Sequence, residues 1–502
     1  MRIPVGAPAA ILTVLLVAGC FGRGAEDDRE GAMPVVGDGY ALDCSIGSAD
    51  WSEPCLAWSS RNDSPSKTEI DIAVSPVDPD TVFVASKDLD PAASSCVWAV
   101  GQVTHDGGKT WTTVYVGGTM DERTPTEPLF GWACITDPIL QFSKDGALHY
   151  SLQAYNYRDI EGAYPPTPVG LPISPEGGNM YHATSFDGGD SFPSIKPMHA
   201  GDAGAIYHDY MRMATNPRTG TVFTLWNQIT GGATVFPVLV AARTDGTVLP
   251  PVYFVAPDAP GDVGLNSIAG APDGTVHALF TGVGLTPAGN AEQVFRAASD
   301  DDGMTFSLPE RQFEFTPMQD IPDVEFRSGS SVELAVDTSG GAHGGCLYAV
   351  FPDGAADVGD IHARTSCDGG ATWSDPVLVS NGPHEGAQFF PRVSVDGRGT
   401  AHVVYETQAY DPEHRLLDVE WARSSDGGAS WTVQRLTQQH SDGDLGVHQD
   451  GFPFYGDYIG ISSAGDHTYM GFPVTVTGKA EIAVAHIHHI GSDGESMGGH
   501  VH

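Results

Sequence analysis

Basic side chains are scarce in this sequence. Lys and Arg number 24 against 64 Asp and Glu, a formal net charge of −40 over 502 residues. A surface so acidic repels phosphate backbones, which excludes DNA and RNA as partners. Long apolar runs are also missing. The mostly apolar stretch Ala9–Ala18 is too short for a membrane-spanning helix, which needs about 20 apolar residues. No C-x-x-C spacing occurs among the seven cysteines, so the usual thiolate metal site is absent. There is no EF-hand spacing, no Gly-rich phosphate loop and no Ser-His-Asp motif. The acidic residues are dispersed, so calcium has no motif to support it and no cofactor is expected.

The N-terminus reads as an export signal over 1–20. Met1-Arg2 is a minimal basic region, Ala9–Ala18 the apolar region, and Val17-Ala18-Gly19-Cys20 the end. That ending resembles a bacterial lipobox, which implies lipidation of Cys20. The alternative is an ordinary signal with a coincidental cysteine. Phe21 is not Asp, so inner-membrane retention is not expected. The chain is therefore expected at the outer membrane or cell surface of a bacterium, as a monomer held by its lipid. Residues 21–38, with Glu26, Asp27, Asp28 and Glu30, read as a polar tether. The other six cysteines suit an exported protein. Sequence neighbours suggest Cys44–Cys55, Cys96–Cys134 and Cys346–Cys367; the last pair is the best argued, because its two residues fall on adjacent strands of one hairpin.

Against these absences stands a repeat. Thr104–Trp111, Ser185–Phe192, Ser299–Phe306, Ser366–Trp373 and Ser424–Trp431 all read S/T-x-D-x-G-x-S/T-W/F. The spacing predicts a tight turn. Asp106, Asp187, Asp301, Asp368 and Asp426 accept from amides of their own turn. Gly108, Gly189, Gly303, Gly370 and Gly428 supply positive φ, and the terminal Trp or Phe folds back as an apolar plug between sheets. The octet resembles the Asp-box, or BNR repeat, of sialidases and sialidase-like β-propellers. In that family the boxes are structural and lie opposite the binding face.

Each box sits in a longer unit of hairpins with period-two patterning. The first two strands of each unit recur around turns such as Lys144-Asp-Gly146, Pro272-Asp-Gly274 and Asp396-Gly397. The third unit has a worn box at Arg243–Thr247, and the seventh stops after its third strand, Glu481–Ile487. Seven units predict an all-β propeller of four-stranded blades over 39–490, with six blades the alternative because true sialidases have six. The spare segment 33–60 is expected to complete blade seven. Residues 491–502 read as a disordered His-rich tail. His486 and His488, like His500 and His502, alternate and could share a strand face that binds a metal weakly, but with no carboxylates in register a flexible His-rich end is expected.

Function is sought on the face opposite the boxes, where 156–179, 313–329 and 438–457 make long connections. Sialidase resemblance implies three arginines gripping a carboxylate, a Tyr–Glu nucleophile pair and an Asp acid/base. The family's Arg-Ile-Pro motif is missing before the first blade; Arg2-Ile3-Pro4 lies in the signal. Arg212, Arg327 and Arg392 nevertheless stand near the tops of inner strands. Asp209-Tyr210 and Asp457-Tyr458 occupy matching places, and His384, Glu385, His448 and Asp450 lie in adjoining loops. These residues either build a site or cap strand ends. The reading favoured is a surface propeller that binds a glycan or protein; the alternative is an exo-acting, sialidase-like glycoside hydrolase.

Overall fold

The computed structural model describes residues 35–36, 40–42, 56–58, 66–89, 99–118, 124–132, 134–155, 179–199, 206–230, 234–244, 247–256, 263–286, 289–329, 331–356, 358–380, 386–437, 439–449, 452–475 and 478–489. The chain divides into 1–33, outside these residues, and the unit Pro34–His502. Cys20, the tether up to residue 34 and the tail 491–502 also lie outside them. No described helix is long and apolar enough to cross a membrane.

Seven antiparallel blades follow one another in chain order, as expected. Blade 1 uses Ser66–Val74, Val82–Leu89, Ala99–Thr104 and Thr112–Tyr115. The inner strands of blades 2 to 7 are Cys134–Phe142, Ile206–Thr215, Val263–Gly270, Glu333–Val336, Gln388–Val395 and Gly460–Ala464. Blade 7 takes its outer edge from the N-terminal segment. Tyr40–Leu42 and Leu56–Trp58 both pair antiparallel with Glu481–His489. That last strand holds His486 buried, so this stretch is a strand and not the flexible end expected from its composition.

The five octets fold alike. In each, Asp106, Asp187, Asp301, Asp368 or Asp426 accepts the amide of the residue four positions on, at 2.9–3.0 Å. The hydroxyl of that same residue donates to the second carboxylate oxygen. The five glycines take φ between 82° and 115°, a region closed to most side chains. Their aromatic residues join apolar clusters spanning two blades. Trp111 packs between blades 7 and 1, Phe192 between 1 and 2, and Phe306 between 3 and 4. Trp373 packs between 4 and 5, and Trp431 between 5 and 6. Phe192 lies edge-on to Phe83 of blade 1 at 5.7 Å and to Tyr150 of blade 2 at 5.9 Å. All five rings are half-buried, so each contributes only part of the about 1.5–3 kcal/mol that full burial of such a side chain is worth. The two interfaces that receive no box aromatic, 2–3 and 6–7, precede the worn box and the missing one.

Cys346 and Cys367 form a disulfide with Cα atoms 4.2 Å apart, closing the base of the blade 5 hairpin as expected. Cys44, Cys55 and Cys96 lie outside the described residues, as does the side chain of Cys134.

Candidate functional site

The inner strands share a local break. Register slips by a bulge between Thr68 and Asp71, Thr136 and Ile139, Asp209 and Arg212, Gly264 and Ser267, and Phe389 and Arg392. In four of these the bulged residue is not glycine yet has positive φ: Glu69 at 50°, Asp137 at 54°, Tyr210 at 52° and Phe390 at 50°. Such geometry costs on the order of 1–3 kcal/mol per residue and serves to re-aim side chains. Here it aims them at the propeller axis.

Just below the bulges, one residue per blade lies three ladder pairs above the end of the inner strand. These are Asp71, Ile139, Arg212, Ser267, Glu333, Arg392 and Ile461. They ring a cavity of about 340 Å³ that extends toward the turns between first and second strands. Arg212 of blade 3 donates to Glu333 Oε1 of blade 5 from Nη2 at 2.5 Å and from Nε at 2.9 Å. Arg392 of blade 6 reaches Asp71 of blade 1 at 3.1 Å and Glu333 at 3.7 Å. Ser267 donates to Glu333 from blade 4, and the Leu140 amide of blade 2 donates to Asp71. Two guanidinium groups thus balance two carboxylates across the axis. Burial pushes the Asp71 carboxyl up, against the pull of Arg392 and the Leu140 amide.

Tyr210 stands directly above this ring. Its Oη accepts from Arg212 Nη2 at 2.7 Å and approaches Glu333 Oε1 at 3.4 Å. Burial raises its pKa to about 12 although Arg212 opposes the rise. Tyr458 meets it edge-on at 6.4 Å and donates to the Pro138 carbonyl.

The mouth is formed by carboxylates. Glu69 and Asp137 are buried on the bulges, and Asp209 and Asp457 are half-buried above them. Asp209 is hydrogen-bonded to Asp137; burial first and the Asp137 charge second push the Asp209 carboxyl well up. Burial likewise raises Glu69, with Lys87 pulling down and Asp137 and Asp457 pushing up. Lys87 Nζ lies 3.4 Å from Glu69 Oε2. Arg327, half-exposed, is forked onto Asp457, with Nε to Oδ1 at 2.7 Å. Its guanidinium and the Lys87 ammonium both lie over the Phe454 ring, at 4.7 Å and 4.6 Å. Gly456 permits this closure: at φ 117°, a Cβ there would sit 2.8 Å from the Glu69 amide nitrogen.

The candidates from sequence therefore divide. Arg212 and Arg392 converge on one carboxylate beside Tyr210, while Arg327 belongs to the mouth with Asp457 and Asp209. Glu385, His384 and Asp450, and the side chain of His448, lie outside the described residues. Glu69, Asp71, Asp137, Glu333 and Lys87 join the site without having been singled out by the sequence. Aligning the units on their first turns would have exposed Asp71 and Glu333, since both fall in the register of Arg212 and Arg392. Among the described residues no group of three or more His, Cys, Asp or Glu is arranged to hold a metal ion.

No family model and no curated protein matches the chain. Solved structures similar to it include a protein of unknown function from Dyadobacter fermentans DSM 18053, at 14% identity over 90% of this chain and 100% of that one, TM-score 0.46. The Hadza microbial sialidase Hz136 shares 13% identity over 80% of this chain and 76% of its own, TM-score 0.45. The α-L-arabinanase of Penicillium chrysogenum, complexed with arabinobiose, shares 12% over 77% and 99%, TM-score 0.45.

Proposed function

We propose that this chain is an exported propeller, anchored through Cys20, that binds the hydroxyl-rich end of a glycan at the mouth formed by Asp209, Asp457 and Arg327. The observation that carries this reading is the half-buried carboxylate pair set beside a forked, half-exposed arginine. Carboxylates accept from adjacent sugar hydroxyls, and arginine donates to ring and hydroxyl oxygens. The electrostatics favour a neutral sugar over an acidic one. Arg212 and Arg392, the residues that would grip a carboxylate, are already engaged by Glu333 and Asp71.

Sialidase-type catalysis is disfavoured by the same contacts. The Tyr210 hydroxyl is pushed away from ionisation, and Glu333 is occupied by two arginines, so neither nucleophile nor base is available. A second reading rests on Asp209. A carboxyl pushed well up by burial and by a neighbouring carboxylate has the character of a general acid, which suits hydrolysis of a glycosidic bond.

A screen of immobilised glycans decides between them. Retention of neutral terminal sugars, lost in Asp457→Asn, supports binding; retention unchanged in that variant overturns the mouth as the site. Turnover of a fluorogenic glycoside that disappears in Asp209→Asn would replace binding with hydrolysis.

A further inference from the structure

A cavity of about 1080 Å³ lies on the face that carries the boxes, between blades 4 and 5. Its walls are the first turn and the box of each of these two blades, and Arg296 and His277 of blade 4 line it as well. We propose that this cavity binds a sugar acid, a polyhydroxylated molecule with one carboxylate, either free or at the end of a glycan.

The cavity stands where the repeat departs from its own packing. At the 1–2, 3–4 and 5–6 interfaces the second strand of the earlier blade brings a ring at its second residue: Phe83, Phe223 and Tyr348. The box glycine of the later blade lies against that ring. A Cβ on Gly189 would sit 2.5 Å from Phe83, on Gly303 2.4 Å from Phe223, and on Gly428 3.5 Å from Tyr348. At the 4–5 interface the second residue is His277, and Gly370 lies against Arg296 instead, its Cβ position 2.5 Å from Nε. A guanidinium thus takes a place that an apolar ring fills elsewhere. Burial pushes Arg296 down, and Glu310 and Asp368 oppose this only from a distance, since neither pairs with it. A half-buried charge without an ion pair lowers stability, and such departures from a local rule mark functional places.

The donors are set by one contact. Arg296 Nε donates to His277 Nδ1 at 3.1 Å. Arginine cannot accept, so Nδ1 is the acceptor and the His277 proton sits on Nε2. Burial first and Arg296 second hold His277 at about 4, so its ring is neutral at neutral pH. The contact fixes the guanidinium and leaves both Nη groups without a hydrogen bond or ion pair among the described residues. Two such Nη donors match the two oxygens of a carboxylate. The remaining lining decides what else the ligand carries. Asp273, Asp300 and Asp368 are exposed and line the same cavity, three carboxylates against one guanidinium. They repel a dianion or a polyacid and accept from hydroxyls. Ser307 and Ser339 accept the Ala298 and Gly341 amides and keep their own protons to donate. One carboxylate with several hydroxyls is the composition of a sugar acid. The volume stands at the top of the range of roughly 300–1,000 Å³ usual for small-molecule sites, which leaves room for an attached sugar.

The test is titration calorimetry on the purified protein at neutral pH and constant ionic strength, with galacturonate, glucuronate, gluconate and digalacturonate as probes and chloride as background. Saturable binding is expected, weakened about 10-fold or more in Arg296→Gln, with Arg296→Lys retaining part of it. Gly340→Asp is the second variant, because a Cβ there meets nothing within 4 Å and the interface packing is left alone. Its added carboxylate on the cavity wall should weaken binding more than Gly340→Asn does. Arg311→Ala removes an exposed guanidinium that does not line the cavity and should bind as the parent does. Tighter binding of digalacturonate than of the single acids identifies a glycan end, and the reverse a free sugar acid; both orders support the site. Binding unchanged in both Arg296→Gln and Gly340→Asp belongs elsewhere on the protein and overturns the proposal. Absence of saturation up to about 10 mM for all four probes overturns it too.

Discussion

At the scale of single residues, Glu333 holds the axis together. It receives Arg212 from blade 3 and faces Arg392 of blade 6, with Ser267 adding a donor from blade 4. Replacing it with Gln keeps the shape and removes the charge, leaving two buried guanidinium groups with a single carboxylate, Asp71, between them. Breaking a buried ion pair from one side costs about 3–5 kcal/mol, so Glu333→Gln should lower the urea midpoint by that equivalent. An Arg212→Met/Glu333→Leu pair should recover most of the loss, since it removes both charges together. A midpoint unchanged in Glu333→Gln would show that the ring does not bear on stability. The arginines of this ring were legible in the sequence because each stands at a recognisable strand entrance. Aligning the units would have found their partners' positions too, but not which carboxylate meets which arginine, because Glu333 is 121 residues from Arg212 and Asp71 is 321 from Arg392. Only closure of the ring brings them together.

At the scale of elements, the box and the bulge differ in how openly the sequence announces them. The box is built within eight residues, so its Asp, Gly and aromatic are chosen by contacts made inside the turn, and pattern alone reveals it. The bulge depends on its neighbours. Glu69, Asp137, Tyr210 and Phe390 adopt positive φ without the glycine that would betray it. The box also sets an acid limit on stability. In Asp368 the Thr372 hydroxyl and amide hold the carboxyl down to about 2. The other four box aspartates are lowered too, because whatever burial adds is outweighed by the same set of turn hydrogen bonds. A carboxyl held low in the fold stabilises it above the unfolded pKa of about 3.9, and that contribution is lost as pH falls through the folded value. The raised carboxyls Glu69, Asp71 and Asp209 act in the other direction, favouring the fold below the unfolded value and losing that support as pH rises through their own. The urea midpoint should therefore fall between about pH 4 and pH 2. Asp368→Asn should start lower at pH 5 and lose less on acidification. An identical acid response in parent and variant would separate the box from the acid limit.

At the scale of the whole molecule, stability rests on closing the ring. Six blades take all four strands from consecutive sequence, and the seventh borrows its edge from the other end of the chain. The missing fourth strand after Glu481–Ile487 and the unassigned segment 33–60 made this closure readable from the strand count. The split into two short pieces, with Tyr40 paired to His489 and Trp58 to Ala483, was not readable, because short strands carry too little periodicity. Removing the N-terminus through residue 58 would strip the partner from Glu481–His489 and leave a bare edge, which promotes self-association. With net gains of about 0.5–1.5 kcal/mol per hydrogen bond, several lost bonds amount to a few kcal/mol. A chain of this size then melts on the order of 5 °C lower. Ala57→Pro isolates the effect, since it deletes one ladder donor opposite Val484 without shortening the chain. Differential scanning calorimetry with light scattering would read both consequences. A truncated chain that stays monomeric and melts with the parent would mean that the ring is held by its inner-strand charges and box aromatics alone.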